Sequence, residues 1–187
     1  MFDFAARFDD GLTYDAFLEK YGSDEHRRRW ADLHARVKLT SAQQGLLAGF
    51  ERDMKVLCLA GAWCGDCVNQ CPIFDHFAAA NSRIAVRYFD RDDHPELATE
   101  LKICGGARVP VVVILSEDDF EVLRFGDKTL AKYRQMAADH LGPACPSGLG
   151  GVDQGLLDAV TQDWLDIFER AQLILRLSGR LREKHGD

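Results

Sequence analysis

From Val56 to Ala60 every position is apolar: Val56-Leu57-Cys58-Leu59-Ala60. So short a run, without the alternation of a half-wetted strand, predicts a central strand buried on both faces. Val109 to Leu115 reads the same way. Ile84, Val86 and Tyr88 alternate with other residues, the period of a strand. Phe120 to Phe125 follows the second apolar run after an acidic turn, so those two segments predict a hairpin. Helical spacing fills the gaps. Val68, Cys71, Phe74 and Ala78 share one face of a helix from Gly65 to about Ala80. Asp93-His94-Pro95 opens a short helix through Leu97 and Leu101, with proline in its first turn. A helix from about Asp127 to Leu141 closes the unit. The order over about 40–141 is α-β-α-β-α-β-β-α, and it supplies the crossovers that parallel strands need.

Both flanks read as helical. In the first 50 residues, Asp24 is a candidate cap for a helix through Trp30, Leu33 and Val37. Thr40 or Ser41 starts another through Leu46, Leu47 and Phe50. Residues 142–151, rich in glycine and proline, read as a linker. One long amphipathic helix follows, with Trp164, Ile167 or Phe168, Ala171, Ile174 or Leu175, and Leu181 at helical spacing. The predicted organisation is a helical N-terminal extension (1–39), an α/β unit (40–141), the linker (142–151) and a C-terminal helix (152–187). The fold class is α/β, a mixed sheet of about four strands flanked by helices. The C-terminal helix either folds back on the unit or pairs with a second copy as a homodimer.

Composition narrows the partners. The chain has 187 residues and a net charge of −7. That balance argues against a nucleic-acid or anionic-membrane binder. The basic run His26-Arg27-Arg28-Arg29 sits among acidic neighbours and reads as a solvated helix face. No apolar run approaches the roughly 20 residues that span a bilayer, and the N-terminus has no signal-peptide pattern. A reducing cytoplasm is the expected compartment, where the six cysteines serve as thiols rather than structural bridges.

Two of the cysteines stand where an apolar strand gives way to a helix: Trp63-Cys64-Gly65-Asp66-Cys67. The first turn of a helix has unpaired N–H groups and the positive end of the dipole. Sulfur there is favoured as thiolate, the attacking species. Cys64 at the mouth of the turn is the expected nucleophile. Cys67, one turn deeper, is the expected resolving thiol, and Gly65 is expected to ease the turn. Asp66 suits the helix N-terminus but disfavours a neighbouring thiolate. Each effect is about 0.3–1 kcal/mol near a surface, so they partly cancel.

This stretch resembles the active-site motif of the thioredoxin superfamily, Trp-Cys-Gly-Pro-Cys, with Asp66 in place of proline. Pro72 matches the proline inside the family's active-site helix, and Val109-Pro110 its cis-proline element. The resemblance covers about residues 40–141 and implies a thioredoxin-like fold and thiol–disulfide exchange on protein or small-molecule disulfides. It implies no bound cofactor, only an electron donor. Val109 and Pro110 would lie against the cysteines and pair with an extended substrate by strand addition, and Trp63 would belong to the docking surface. An ordinary trans proline at a strand start is the alternative for Val109-Pro110. One departure is Cys58, at the position six residues before the first cysteine, where the family often carries a buried Asp that assists proton transfer.

Cys71 is either a third redox thiol or a small core residue. Cys58 reads as core, and Cys104 and Cys145 as exposed or incidental. Cys64, Cys67 and Cys71 lack the further cysteine of an iron–sulfur run. With no histidine pair at motif spacing, no metal is expected. The competing reading is a non-catalytic redox sensor or adaptor that binds partners through its terminal helices.

Overall fold

The computed structural model describes residues 2–141 and 153–187. Four strands, β1 (Met54–Ala60), β2 (Ile84–Asp90), β3 (Val111–Ser116) and β4 (Glu121–Gly126), form a sheet in the order β2-β1-β3-β4. β1 is buried except at Lys55 and β3 throughout, as their unbroken apolar runs require, whereas the edge strand β4 is partly exposed. β1 and β2 are parallel, with Cys58 opposite Tyr88. β1 and β3 are antiparallel, with Cys58 opposite Val112, and so are β3 and β4. The sheet is therefore mixed.

The helices are α1 (Ala5–Phe8), α2 (Tyr14–Tyr21), α3 (Asp24–Arg36), α4 (Ser41–Ala48), α5 (Gly65–Ala80), α6 (Pro95–Glu100), α7 (Leu130–Leu141), α8 (Gln154–Leu177) and α9 (Gly179–His185). α5 is the crossover from β1 to β2 and also touches α3, α4 and α8. Contact on several sides explains why Cys67, Val68, Gln70, Cys71, Phe74 and Phe77 are all buried along it, more than one amphipathic face would give.

Local chemistry sets the boundaries. Ser23, not Asp24, caps α3: its Oγ accepts from His26 N–H at 3.2 Å, and His26 Nδ1 accepts from Ser23 N–H at 3.4 Å. Thr40 and Gln43 make the same reciprocal pair at α4. α7 begins at Leu130, after the buried Asp127. The C-terminal segment is two helices, because Ser178 takes an extended conformation after Leu177. α9 thereby reaches the β3–β4 turn, where Lys184 and His185 contact Glu117 at 2.6 and 2.9 Å.

Both terminal segments share the core of the sheet. Leu12 pairs with Tyr88 through two backbone hydrogen bonds of 2.9 and 2.8 Å. Phe17 and Trp30 pack on each other and on the Tyr14–Tyr88 pair. From the other end, Trp164 meets Phe74 and Phe125, and Phe168 meets Phe77. Gln172 accepts from the N–H groups of Glu51 and Arg52 and donates to the Arg52 carbonyl, which ties α8 to the turn before β1. The expected linker, 142–151, lies outside the described residues. Among the described residues no helix is long and apolar enough to cross a membrane.

Candidate active site

β1 ends at Ala60, and the chain turns through Gly61-Ala62-Trp63 into α5. The turn is tight. A Cβ on Gly61 would stand 2.7 Å from the Trp63 ring, so any larger residue would have to push that ring aside. The buried Trp30 indole donates to the Ala62 carbonyl at 2.9 Å. Cys64 N–H donates to the Gly61 carbonyl at 3.0 Å and fixes Cys64 as the N-cap of α5. Gly65 has room to spare: a Cβ there would meet only the Arg29 guanidinium, at 3.9 Å.

The sulfurs form a graded series. Cys64 is half-buried, and its thiol donates to the Val109 carbonyl at 3.6 Å. Cys67 is fully buried and accepts from Gly61 N–H at 3.4 Å, with Cys64 and Cys71 near enough to favour its thiolate. Behind it the Cys71 and Cys58 sulfurs are 3.9 Å apart, both without solvent exposure. All five described cysteines are thiols. The Val109–Pro110 peptide bond is cis. Cys64, Cys67, Val109 and Pro110 thus meet at one end of the sheet. Cys104 is exposed and in a left-handed conformation beside Gly105; Cys145 lies outside the described residues.

The Cys64–Cys67 pair loses its two protons very unequally. Burial opposes ionisation of Cys67, but hydrogen bonds from Cys64, Cys71 and Gly61 N–H outweigh it and bring Cys67 down to about 5. The hydrogen bond to Cys67, and then burial, push the Cys64 thiol up. One proton therefore leaves readily and the next is held between the two sulfurs.

Around the cysteines lie groups with no signal in the spacing of the motif. Asp66 is paired: its Oδ2 accepts from Lys128 Nζ at 2.9 Å, and Lys128 also reaches Asp127 Oδ2 at 2.9 Å. Asp127 further accepts from Tyr133 Oη and from Arg108 at 3.4 Å. Burial works against the Asp127 carboxylate, but these donors hold it down at about 2. Gln70, a buried polar residue on α5, donates to the Asp66 and Asp127 carbonyls at 3.2 and 2.9 Å and accepts from the Trp164 indole at 2.9 Å. A polar residue between Val68 and Cys71 was the one visible hint of this network. Trp63 is 42% exposed and carries the Arg91 guanidinium over its ring at 4.4 Å. A groove lined by His34, Lys38, Gln44 and His76 contains none of the cysteines.

Comparison with known proteins adds the family. No curated protein matches the chain. Among solved structures, a protein of unknown function from Pseudomonas aeruginosa is 22% identical, covers 92% of this chain and 93% of its own, and superposes with a TM-score of 0.66. An HIV epitope-scaffold is 21% identical, with 91% and 93% covered and a TM-score of 0.62. Both likenesses concern the fold. A family model described as thioredoxin matches residues 11–138, well over half the chain, and the protein belongs to that family.

Proposed function

We propose that the protein is a thiol–disulfide oxidoreductase acting on protein or small-molecule disulfides, with Cys64 as nucleophile and Cys67 as resolving thiol. The observation that carries this reading is the division between a half-exposed sulfur at the N-cap of α5 and a buried, hydrogen-bonded partner one turn deeper. Of the two, only Cys64 is accessible to an incoming disulfide. As it attacks, the Cys64 proton passes to Cys67, whose sulfur already accepts from Gly61 N–H. The result is a mixed disulfide between Cys64 and substrate. Cys67 then attacks Cys64 and expels the reduced substrate. Gly61 N–H and Cys71 favour the Cys67 thiolate for this second step, the proton-handling role for which Cys58 offers no carboxylate.

The Val109 carbonyl beside Cys64 and the exposed Trp63 face suit an extended segment laid along the site. The Lys128 pair offsets part of the penalty that Asp66 imposes on a thiolate. The cycle needs an electron donor to restore the dithiol, and a reducing cytoplasm is the compartment that fits it. Cys64→Ser is expected to abolish disulfide reduction, and Cys67→Ser to accumulate mixed disulfides on Cys64, read by mass spectrometry. A wild-type protein that turns over no disulfide with any dithiol donor overturns the reading.

Leu173, Ile174 and Leu177 on α8 are exposed, which supports a second reading: an adaptor or homodimer whose partner contacts run through the C-terminal helix. Partner affinity that follows the oxidation state of the cysteines, with negligible turnover, would favour it.

A further inference from the structure

Two buried thiols remain unused by that reaction. Cys71 lies on the same face of α5 as Cys67, four residues on, near enough for the two thiols to affect each other's ionisation. Cys58 reaches Cys71 from the middle of β1, with 3.9 Å between the sulfurs. Buried cysteines are ordinarily inert packing. These two differ because sulfur follows sulfur without interruption from the surface inward: Cys64, Cys67, Cys71, Cys58. Forming a disulfide needs the last pair to close to about 2.05 Å, a movement of about 1.9 Å.

Resting on the reading of Cys64 and Cys67 given above, we propose that Cys58 and Cys71 form a second, internal redox pair that takes over the disulfide from Cys64–Cys67 by thiol exchange. The steps balance without an outside oxidant. Substrate disulfide first converts Cys64 and Cys67 to a disulfide and leaves as two thiols. Cys71 then attacks Cys67. The Cys64–Cys67 bond breaks, a Cys67–Cys71 bond forms, and the proton lost by Cys71 ends on Cys64. Cys58 next attacks Cys71. The Cys67–Cys71 bond breaks, the Cys58–Cys71 bond forms, and the Cys58 proton ends on Cys67. The dithiol at the surface is restored, and the core holds the oxidising equivalent. One reduced chain therefore reduces two substrate disulfides before it needs a donor. Burial pushes the Cys71 thiol up, so the inward steps are slower than the first.

The test uses fully reduced full-length protein with Cys104→Ser and Cys145→Ser, held anaerobically with excess oxidised glutathione and no reductase. Two equivalents of oxidised glutathione are expected to be consumed in two phases, with four glutathione thiols released per chain. Peptide mapping after acid quench is expected to find Cys58–Cys71 alongside Cys64–Cys67. Cys58→Ala in the same background is expected to fall short of four thiols and to form no bridge at 71 other than Cys67–Cys71: it ends at two with Cys64–Cys67, or at three with Cys67–Cys71 and glutathione on Cys64. Wild-type cysteines at 58 and 71 that are fully alkylated after denaturation, with release ending at two thiols, overturn the internal pair and leave the surface reaction intact. No release at all removes the surface reaction itself, and the internal pair with it.

Discussion

Trp30 and Trp164 are both fully buried, and each donates its indole N–H to the surroundings of the cysteines, but the acceptors differ in kind. Trp30, from the N-terminal helices, bonds directly to the backbone of the turn that aims Cys64. Trp164, from the C-terminal helix, bonds to a side chain, Gln70, which in turn holds the carbonyls of Asp66 and Asp127. The first contact fixes the position of the turn. The second fixes the polar network beside it. Both terminal segments therefore act as scaffolding for the site.

The strongest way to break that picture is Trp30→Ala and Trp164→Ala. Each is expected to cost about 3–5 kcal/mol, the usual result of emptying a buried aromatic site, in urea denaturation followed by circular dichroism. The wild type is expected to unfold in one transition, with both indoles reporting the same midpoint. Two separated transitions would mean that one terminal segment is an independent appendage.

The next effect belongs to the Trp164 side alone. Asp127 is held at about 2, below its ordinary value of 3.8. A carboxyl depressed in the folded state stabilises it above the unfolded value and loses that contribution as pH falls through the folded one. The shift corresponds to about 2 kcal/mol. Asp127→Asn is expected to lose this amount at pH 7, and the gap from wild type to close between about pH 4 and pH 2. Equilibrium unfolding at stepped pH measures it. A gap that persists at pH 2 would assign the loss to packing instead.

Replacing each indole by phenylalanine separates the two hydrogen bonds from the two aromatic volumes. Trp30→Phe leaves the buried Ala62 carbonyl without that donor, an expected cost of about 1–3 kcal/mol, and shifts the reduction potential of Cys64–Cys67. Trp164→Phe leaves Gln70 its two donated bonds, so the potential is expected to move less. Equal shifts would erase the distinction between fixing the turn and fixing its neighbour.

Much of this was legible in the sequence where the cause is local. The apolar runs around Val56 and Val112 announce strands buried on both faces because no solvent-facing position interrupts them. Cys64 and Cys67 announce themselves because strand, turn and helix are contiguous there. The pairing of Asp66 with Lys128 was not legible, since 61 residues and three strands separate them in the chain and only the sheet topology brings them together. The same holds for Trp30 and Trp164. Their helical spacing marked them as core, but nothing in that spacing says which carbonyl or amide an indole will meet. The break at Ser178 was hidden as well, because the apolar period runs on through Leu181 and the extended serine interrupts only the backbone.

The smallest effects concern charge on the two sides of the turn. On one side Arg29 is exposed, close to Gly65, and has no ion-pair partner among the described residues. On the other, Asp66 is held by Lys128. The rate of Cys64 alkylation by iodoacetamide is expected to rise with the first ionisation of the pair, near pH 5, and then to level off. A negative charge beside a thiolate disfavours it, so Asp66→Asn is expected to lower that midpoint, the more so because Lys128 is then freer to face the sulfurs. A cation favours the thiolate, so Arg29→Ala is expected to raise it. Both shifts should be under one pH unit, about the limit for charges near a surface. Salt distinguishes them: the exposed arginine is screened within a Debye length of roughly 10 Å at 0.1 M, whereas Lys128 and Asp66 are partly shielded from solvent. The Arg29 shift is therefore expected to fade between 0.02 and 0.5 M salt, by order of magnitude in ionic strength, while the Asp66 shift persists. Shifts of the same sign, or an Arg29 shift indifferent to salt, would show that these residues act on the turn through its structure and not through charge.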